Sequence, residues 1–196
     1  MIDTGNPPGA TPLSEDELEG LKIKTIKTRG ELDRWEQQNI GEAMEWLDKR
    51  KNKSEILNED FVMKLHTQMF HKVWTWAGTF RKTNKNIGVD KFKIAIDLRH
   101  LLDDVKFWIE NKTFNSDGIA VRLHHRIVAI HCFPNGNGRH ARLIADTLLT
   151  DVFGLEPFTW GNGDLTSKGD VRKKYIEALR AADRHDYEPL EKFVRS

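Results

Sequence analysis

His131-Cys132-Phe133-Pro134-Asn135-Gly136-Asn137-Gly138-Arg139-His140-Ala141-Arg142 separates two runs of helical periodicity, and the reading of the chain turns on it. Upstream, Ile119, Leu123, Ile127 and Ile130 fall on one line and Val121, Val128 and Ala129 widen the stripe, which predicts a central helix over about 116–130. Downstream, Ala141, Ile144, Ala145, Leu148 and Val152 define another helix. Between them, Gly136 and Gly138 let a backbone approach a ligand with no Cβ in the way. A glycine-rich turn opening into a helix N-terminus presents free N–H groups to an anion. Arg139 and Arg142 are three apart, hence neighbours on the first turn, where the helix dipole disfavours cations unless an anion is bound. Guanidinium forks match phosphate oxygens, so two arginines imply two phosphates. His131 lies just upstream and can accept a proton near neutral pH. Base, anion nest and arginines together describe nucleotidyl or phosphoryl transfer.

Working outward, Leu98, Leu101, Leu102, Val105, Trp108 and Ile109 predict a helix from Asp97. Before it, GTFRKTNKNIGVDKFKIAI (78–96) changes character: Gly78 and Gly88 break helicity, and alternation at Phe92, Ile94 and Ile96 predicts a short β-hairpin or flap. A further helix reads from Asn58 through Phe61, Val62, Leu65 and Met69. Thr28-Arg29-Gly30-Glu31 matches a capping box, and Leu32, Trp35, Asn39, Ala43, Trp46 and Leu47 carry that helix to about Arg50. After the loop PFTWGNGDLT, Ser167 with Asp170 starts a helix bearing Val171, Tyr175, Leu179 and Ala182. Residues 1–12 hold three prolines and two glycines and read as a loose arm. The expectation is an all-α domain with one short hairpin flap, divided into an arm with a possible inhibitory segment at 1–27 and a helical domain at 28–196.

Composition excludes more than it names. The chain has 196 residues, enough for one ordinary domain, with 31 basic against 30 acidic side chains. That balance writes no nucleic-acid footprint, and direct nucleic-acid binding is not expected. No run approaches the roughly 20 apolar residues that span a bilayer, and the start has neither the basic nor the apolar region of a signal peptide. The single cysteine, Cys132, excludes an intramolecular disulfide. A cytoplasmic protein without a membrane partner is expected. His124, His125, His131 and His140 lack the i, i+4 spacing that pairs two imidazoles on a helix face, which weighs against zinc. Cys132 adjoins His131, and adjacent helical residues do not face each other, which weighs against a thiol nucleophile. Trp35, Trp46 and Trp108 fall on apolar stripes and read as core.

HCFPNGNGRHAR resembles the Fic (Fido) domain signature HxFx(D/E)GNGRxxR, with histidine, phenylalanine, GNGR and final arginine in register. WAGTFRKTNKNIG is similar to the family's segment leading into its flap, ALRAADRHDYEPL to its C-terminal helix pair, and the chain from the proline-rich arm through TRGELDRWEQQNI to a bacterial subgroup called mobile mystery protein B. The resemblance implies a helical core that transfers AMP from ATP to a hydroxyl side chain of a protein target. His131 would be the general base; Gly136, Asn137 and Gly138 would cradle phosphates; Arg139 and Arg142 would bind the β and γ phosphates; Phe133 would anchor the loop. The flap, with Asn86, Ile87 and Gly88, would lay the target out as an extended strand. Where the family usually has Asp or Glu for Mg²⁺, this chain has Asn135, which brings a carbonyl and no charge. Many members carry an inhibitory (S/T)xxxE(G/N) segment. Leu18-Glu19-Gly20 is similar to its end, so that Glu19 would pair with Arg142, the alternative restraint being a separate antitoxin chain. Rival readings are transfer of another phosphate-containing group, and a nucleotide-binding regulatory module with little catalysis.

Overall fold

The computed structural model describes residues 13–53, 55–163, 165 and 169–196, so the expected arm at 1–12 and Ser167 as a helix start lie outside the described residues. Among the described residues eight α-helices follow in order: α1 (Glu15–Glu19), α2 (Arg29–Asp48), α3 (Glu59–Phe70), α4 (Ile94–Glu110), α5 (Ser116–Ile130), α6 (Asn137–Leu148), α7 (Asp170–Ala182) and α8 (Glu188–Val194). A π-turn, Leu149–Phe153, prolongs α6, and a 3₁₀ turn, Trp160–Asn162, precedes α7.

Local signals set most of the boundaries. The Thr28/Glu31 capping box closes α2 from both sides, with the Glu31 carboxylate accepting from the Thr28 N–H at 3.0 Å and the Thr28 hydroxyl from the Glu31 N–H at 3.3 Å. Asn58 caps α3 through the Phe61 N–H at 2.8 Å, and Asn115 caps α5 through the Gly118 N–H at 2.7 Å. The apolar line of α5 (Ile119, Leu123, Ile127) is wholly buried, and the helix packs against α4, α6 and α8 as the core element. α2 lies on α3 and is pinned there by one side chain: the Asn39 amide donates to Gln68 O at 2.8 Å and its oxygen accepts from the Lys72 N–H at 2.9 Å. No helix among the described residues is long and apolar enough to cross a membrane.

The expected hairpin does not form. Among the described residues, 78–93 consist of turns and bends, Ile94 is a buried residue of α4, and Phe92 is 85% exposed. Side chains have taken the backbone groups a ladder would use: Asn84 Oδ1 accepts from the Lys91 N–H at 2.8 Å, Asp90 Oδ1 from the Phe92 N–H at 2.9 Å, and Arg81 donates to several carbonyls. Trp35 is not core either. The buried line of α2 runs Leu32, Glu36, Asn39, Ala43 and Leu47, so a polar-bearing stripe faces inward and Trp35, beside it, is 44% exposed. Gly169 is the N-cap of α7 and supplies no side-chain cap. The last residues of the segment expected as an arm are docked: Leu21 and Ile26 are buried, and Leu21 bridges Trp74.

Candidate active site

The loop between α5 and α6 is built to hold a turn open on one side. α5 ends at His131, whose backbone is left-handed (φ 57°), and its N–H still bonds Ile127 O at 3.0 Å. Phe133 is buried against the His66 ring, 3.7 Å between centroids and near parallel, and so anchors the loop as expected. The Asn137 side chain closes the loop on itself, accepting from Phe133 N–H at 2.9 Å and donating to Phe133 O at 2.8 Å. Its amide therefore braces the turn, and only its backbone N–H is left to serve a ligand.

Gly136 has φ +79°, and a Cβ there would come 2.6 Å from the Phe70 ring. Gly138 differs: around it only Arg142 Nη1 approaches within 4 Å, so the first turn of α6 opens on empty space. Its N–H groups have no intrahelical acceptors, and the dipole directs positive potential into that space.

One cavity gathers most of the residues singled out in the sequence. His131, Asn135, Gly136, Asn137, Gly138, Arg139 and Arg142 line it together with Ile87. α7 adds Arg172, Tyr175, Ile176 and Leu179 as a partly apolar wall, and α2 adds Arg29 and Asp33, paired with each other at 2.9 Å. Asn86 and Gly88 are not in the lining, although Gly88 backs onto His131 from behind. Glu19 lies apart, exposed on α1 beside a second depression with Trp76 and Pro134; its carboxylate does not line the cavity that holds Arg142.

Electrostatics fix His131 as neutral. Burial, and after it the charge of Arg81, push its pKa down to about 4, so at neutral pH the imidazole carries no proton charge and can accept one. Cys132 is buried and its thiol is pushed up to about 12, again by burial, which removes it as a nucleophile. Arg142 neighbours the Tyr175 ring, and the Tyr175 hydroxyl in turn meets His124 Nε2 at 2.9 Å.

Asn135, expected where the family has a metal-binding carboxylate, presents its side-chain oxygen to two donors. Its Oδ1 accepts from the Gly136 N–H at 2.6 Å and lies 3.4 Å from Arg139 Nη2, so the oxygen that would face a cation is turned to a guanidinium. No group of three or more metal-ligating His, Cys, Asp or Glu side chains occurs among the described residues.

Four residues that sequence reasoning passed over shape this site. Arg81 is buried and donates to the carbonyls of His131 (2.6 Å), Thr83 (2.9 Å) and Val89, tying 83–89 to the end of α5. His66 accepts from the Gly78 N–H at 2.9 Å, which fixes its tautomer, so that Nε2–H donates to Asn135 O at 3.0 Å. Tyr175 stands behind Arg142. Glu36 on α2 receives Arg139 Nη1 at 2.7 Å. The signal for Glu36 was available: a carboxylate on the buried line of a helix needs a buried partner.

Residues 56–149 match the model of the Fic/DOC family. The chain is 26% identical over 147 residues to the protein adenylyltransferase Fic of Aedes aegypti, a match covering 73% of this chain and 28% of that relative. It therefore spans little more than a quarter of the curated relative's length. Among solved structures, the N-terminal FIC domain of Bep8 from Bartonella sp. 1-1C superposes with TM-score 0.67 at 14% identity, covering 89% of each chain. BepC of Bartonella tribocorum, solved with bound AMPPNP, superposes with TM-score 0.66 at 17% identity, covering 93% of this chain and 97% of that one.

Proposed function

We propose, from the match of residues 56–149 to the Fic/DOC family, that this chain transfers AMP from ATP to a hydroxyl side chain of a protein target. The observation that carries the reading is the convergence, in one cavity, of a neutral imidazole (His131), a helix N-terminus open at Gly138 and two arginines (Arg139, Arg142). The named relative is a protein adenylyltransferase, and a neighbour of the same fold holds an ATP analogue.

In this reading the triphosphate lies along the first turn of α6, with Arg139 and Arg142 on its outer phosphates and the nucleoside against Ile176 and Leu179. The target hydroxyl approaches past Ile87. His131 takes the hydroxyl proton as the oxygen attacks the α phosphorus; the bond from the α phosphorus to the bridging oxygen breaks, and pyrophosphate leaves with its charge on the arginines and α6 N–H groups. No step is assigned to a protein-held metal ion. A cytoplasmic setting and restraint by an antitoxin chain belong to the same proposal.

The test uses ATP labelled at the α or the γ phosphate with wild type and His131→Ala. AMP transfer leaves α label and no γ label on protein, and His131→Ala loses about 10² to 10⁴ in rate while still binding ATP. Retained γ label would mean phosphoryl transfer. ATP binding without protein label would mean a regulatory module.

A further inference from the structure

We propose that Glu36 is a positioning residue that aims Arg139 at the bound phosphate, and that α2 is therefore part of the active site. The inference rests on the ATP reading above. Glu36 stands outside residues 56–149, on a helix that ordinary packing would explain, yet it is a carboxylate only 2% exposed. A buried charge of this kind needs both oxygens satisfied. Glu36 Oε1 accepts from Trp74 Nε1 at 2.6 Å and Oε2 from Arg139 Nη1 at 2.7 Å.

The guanidinium is thereby fixed on two sides. Its Nη1 edge is held by Glu36, and its face lies over the Phe70 ring, 4.9 Å from the centroid. The same Phe70 ring fills the space a Cβ at Gly136 would take. The carboxylate itself is anchored through Trp74, and α2 is pinned to α3 by Asn39. Arg139 lines the cavity and Glu36 does not. A phosphate can thus meet Nη2, whose contact with Asn135 Oδ1 is a long 3.4 Å, without displacing the carboxylate.

Two effects oppose each other. The carboxylate offsets part of the charge that attracts phosphate, and it removes the rotational freedom that a long arginine side chain would otherwise lose on binding. Because Glu36 holds Arg139 from outside the lining of the cavity, orientation dominates, and losing the carboxylate weakens binding. Asp33, one turn earlier on α2, also lines the cavity but is paired with Arg29 at 2.9 Å.

The experiment measures ATP affinity by calorimetry and transfer rate for wild type, Glu36→Gln, Glu36→Ala, Arg139→Ala and the double variant Glu36→Ala/Arg139→Ala, with thermal melts of each. Glu36→Ala is expected to weaken ATP binding about tenfold or more, raising KM by as much, with Glu36→Gln in between because it keeps an acceptor for Arg139. The double variant should bind no worse than Arg139→Ala, since both changes remove one unit. A purely structural role would lower the melting temperature and leave the ATP affinity of the folded protein unchanged, and that result overturns the proposal. So does tighter binding or faster transfer in Glu36→Gln, which would make the carboxylate a restraint. Glu36→Gln preserves shape, so the proposal remains testable if Glu36→Ala fails to fold. Wild type that binds no ATP would sink the nucleotide reading and this one together; wild type that binds ATP, with Glu36 variants equal to it, sinks this one alone.

Discussion

Gly88 backs directly onto His131: a Cβ on Gly88 would come 2.7 Å from the Cβ of His131 and 2.8 Å from Arg81 Nη2, and Gly88 has φ +99°. The turn that carries Ile87 into the cavity and the candidate base are thus in contact through a position that tolerates no side chain. Gly88→Ala is expected to cost about 1 kcal/mol or somewhat more in stability from the positive φ, while displacing either the imidazole or the turn. A shift near 1 Å at a reacting group costs on the order of 10² in rate. The prediction is a folded variant with near-normal ATP affinity and a severe loss of transfer. Wild-type turnover in Gly88→Ala would show that this contact does not position the base.

The pH profile follows from the environment of His131. With burial and Arg81 holding its pKa down to about 4, the base stays unprotonated well into the acid range. kcat/KM is therefore expected to be flat from neutral pH to about 5 and to fall toward 4, provided the protein remains folded, as circular dichroism at each pH would report. A half-maximal point near the ordinary value of about 6.5 would mean that the base is more exposed to water than its burial implies.

Most helices were legible because their apolar periods and caps are local: α5 appears over the residues expected, and Thr28 and Asn58 cap as their types predict. The motif was legible for the same reason, since turn, glycine and arginine sit within one short stretch. What was hidden is which partners the polar side chains take. Alternation at Phe92, Ile94 and Ile96 looks like a strand until Arg81, Asn84 and Asp90 are seen to occupy the backbone groups. Trp35 looks like core until Glu36 is seen to pair with Arg139, 103 residues later. The departures are polar side chains spent on backbone groups and charges that apolar periodicity does not register, one of them 103 residues away.

Acid sensitivity of the fold is expected from four buried histidines. Burial is the largest cause in each: His66 is held well below its ordinary value, His124 at about 3, and His131 and His140 at about 4. In the unfolded chain each protonates near 6.5, so as pH falls below that value the unfolded state binds protons that the folded state refuses. Stability is full above about pH 6.5 and declines as pH falls toward the folded values, each histidine contributing a slope of up to about 1.4 kcal/mol per pH unit. Urea unfolding at pH 7.5 and 5.5 should differ by several kcal/mol. Equal midpoints would show that these rings take up protons in the folded protein.

Arg81 is expected to couple the turn to the base. Its guanidinium donates to carbonyls on both sides of the junction, Thr83 and Val89 in the turn and His131 at the end of α5, and the Val89 N–H donates back to Ile130 O at 3.3 Å. Arg81→Lys keeps the charge but replaces a planar fork by one ammonium, which cannot reach all of these acceptors. Unsatisfied carbonyls at a buried site should lower stability by about 2 to 4 kcal/mol. The local effect is more diagnostic: amides of 83–89, Val89 among them, should exchange with deuterium much faster than in wild type, while amides in the middle of α5 stay protected. Arg81→Met removes the charge as well and should raise the pKa of His131, because that charge is the second cause holding it down after burial. Titration of the His131 ring by NMR in wild type and the two variants separates the effects: Arg81→Lys should loosen the turn with little change in the ring's titration, and Arg81→Met should do both. Unchanged exchange at Val89 in both variants would mean that the turn is held by Asn84 and Asp90 alone, and that Arg81 serves only to cap α5.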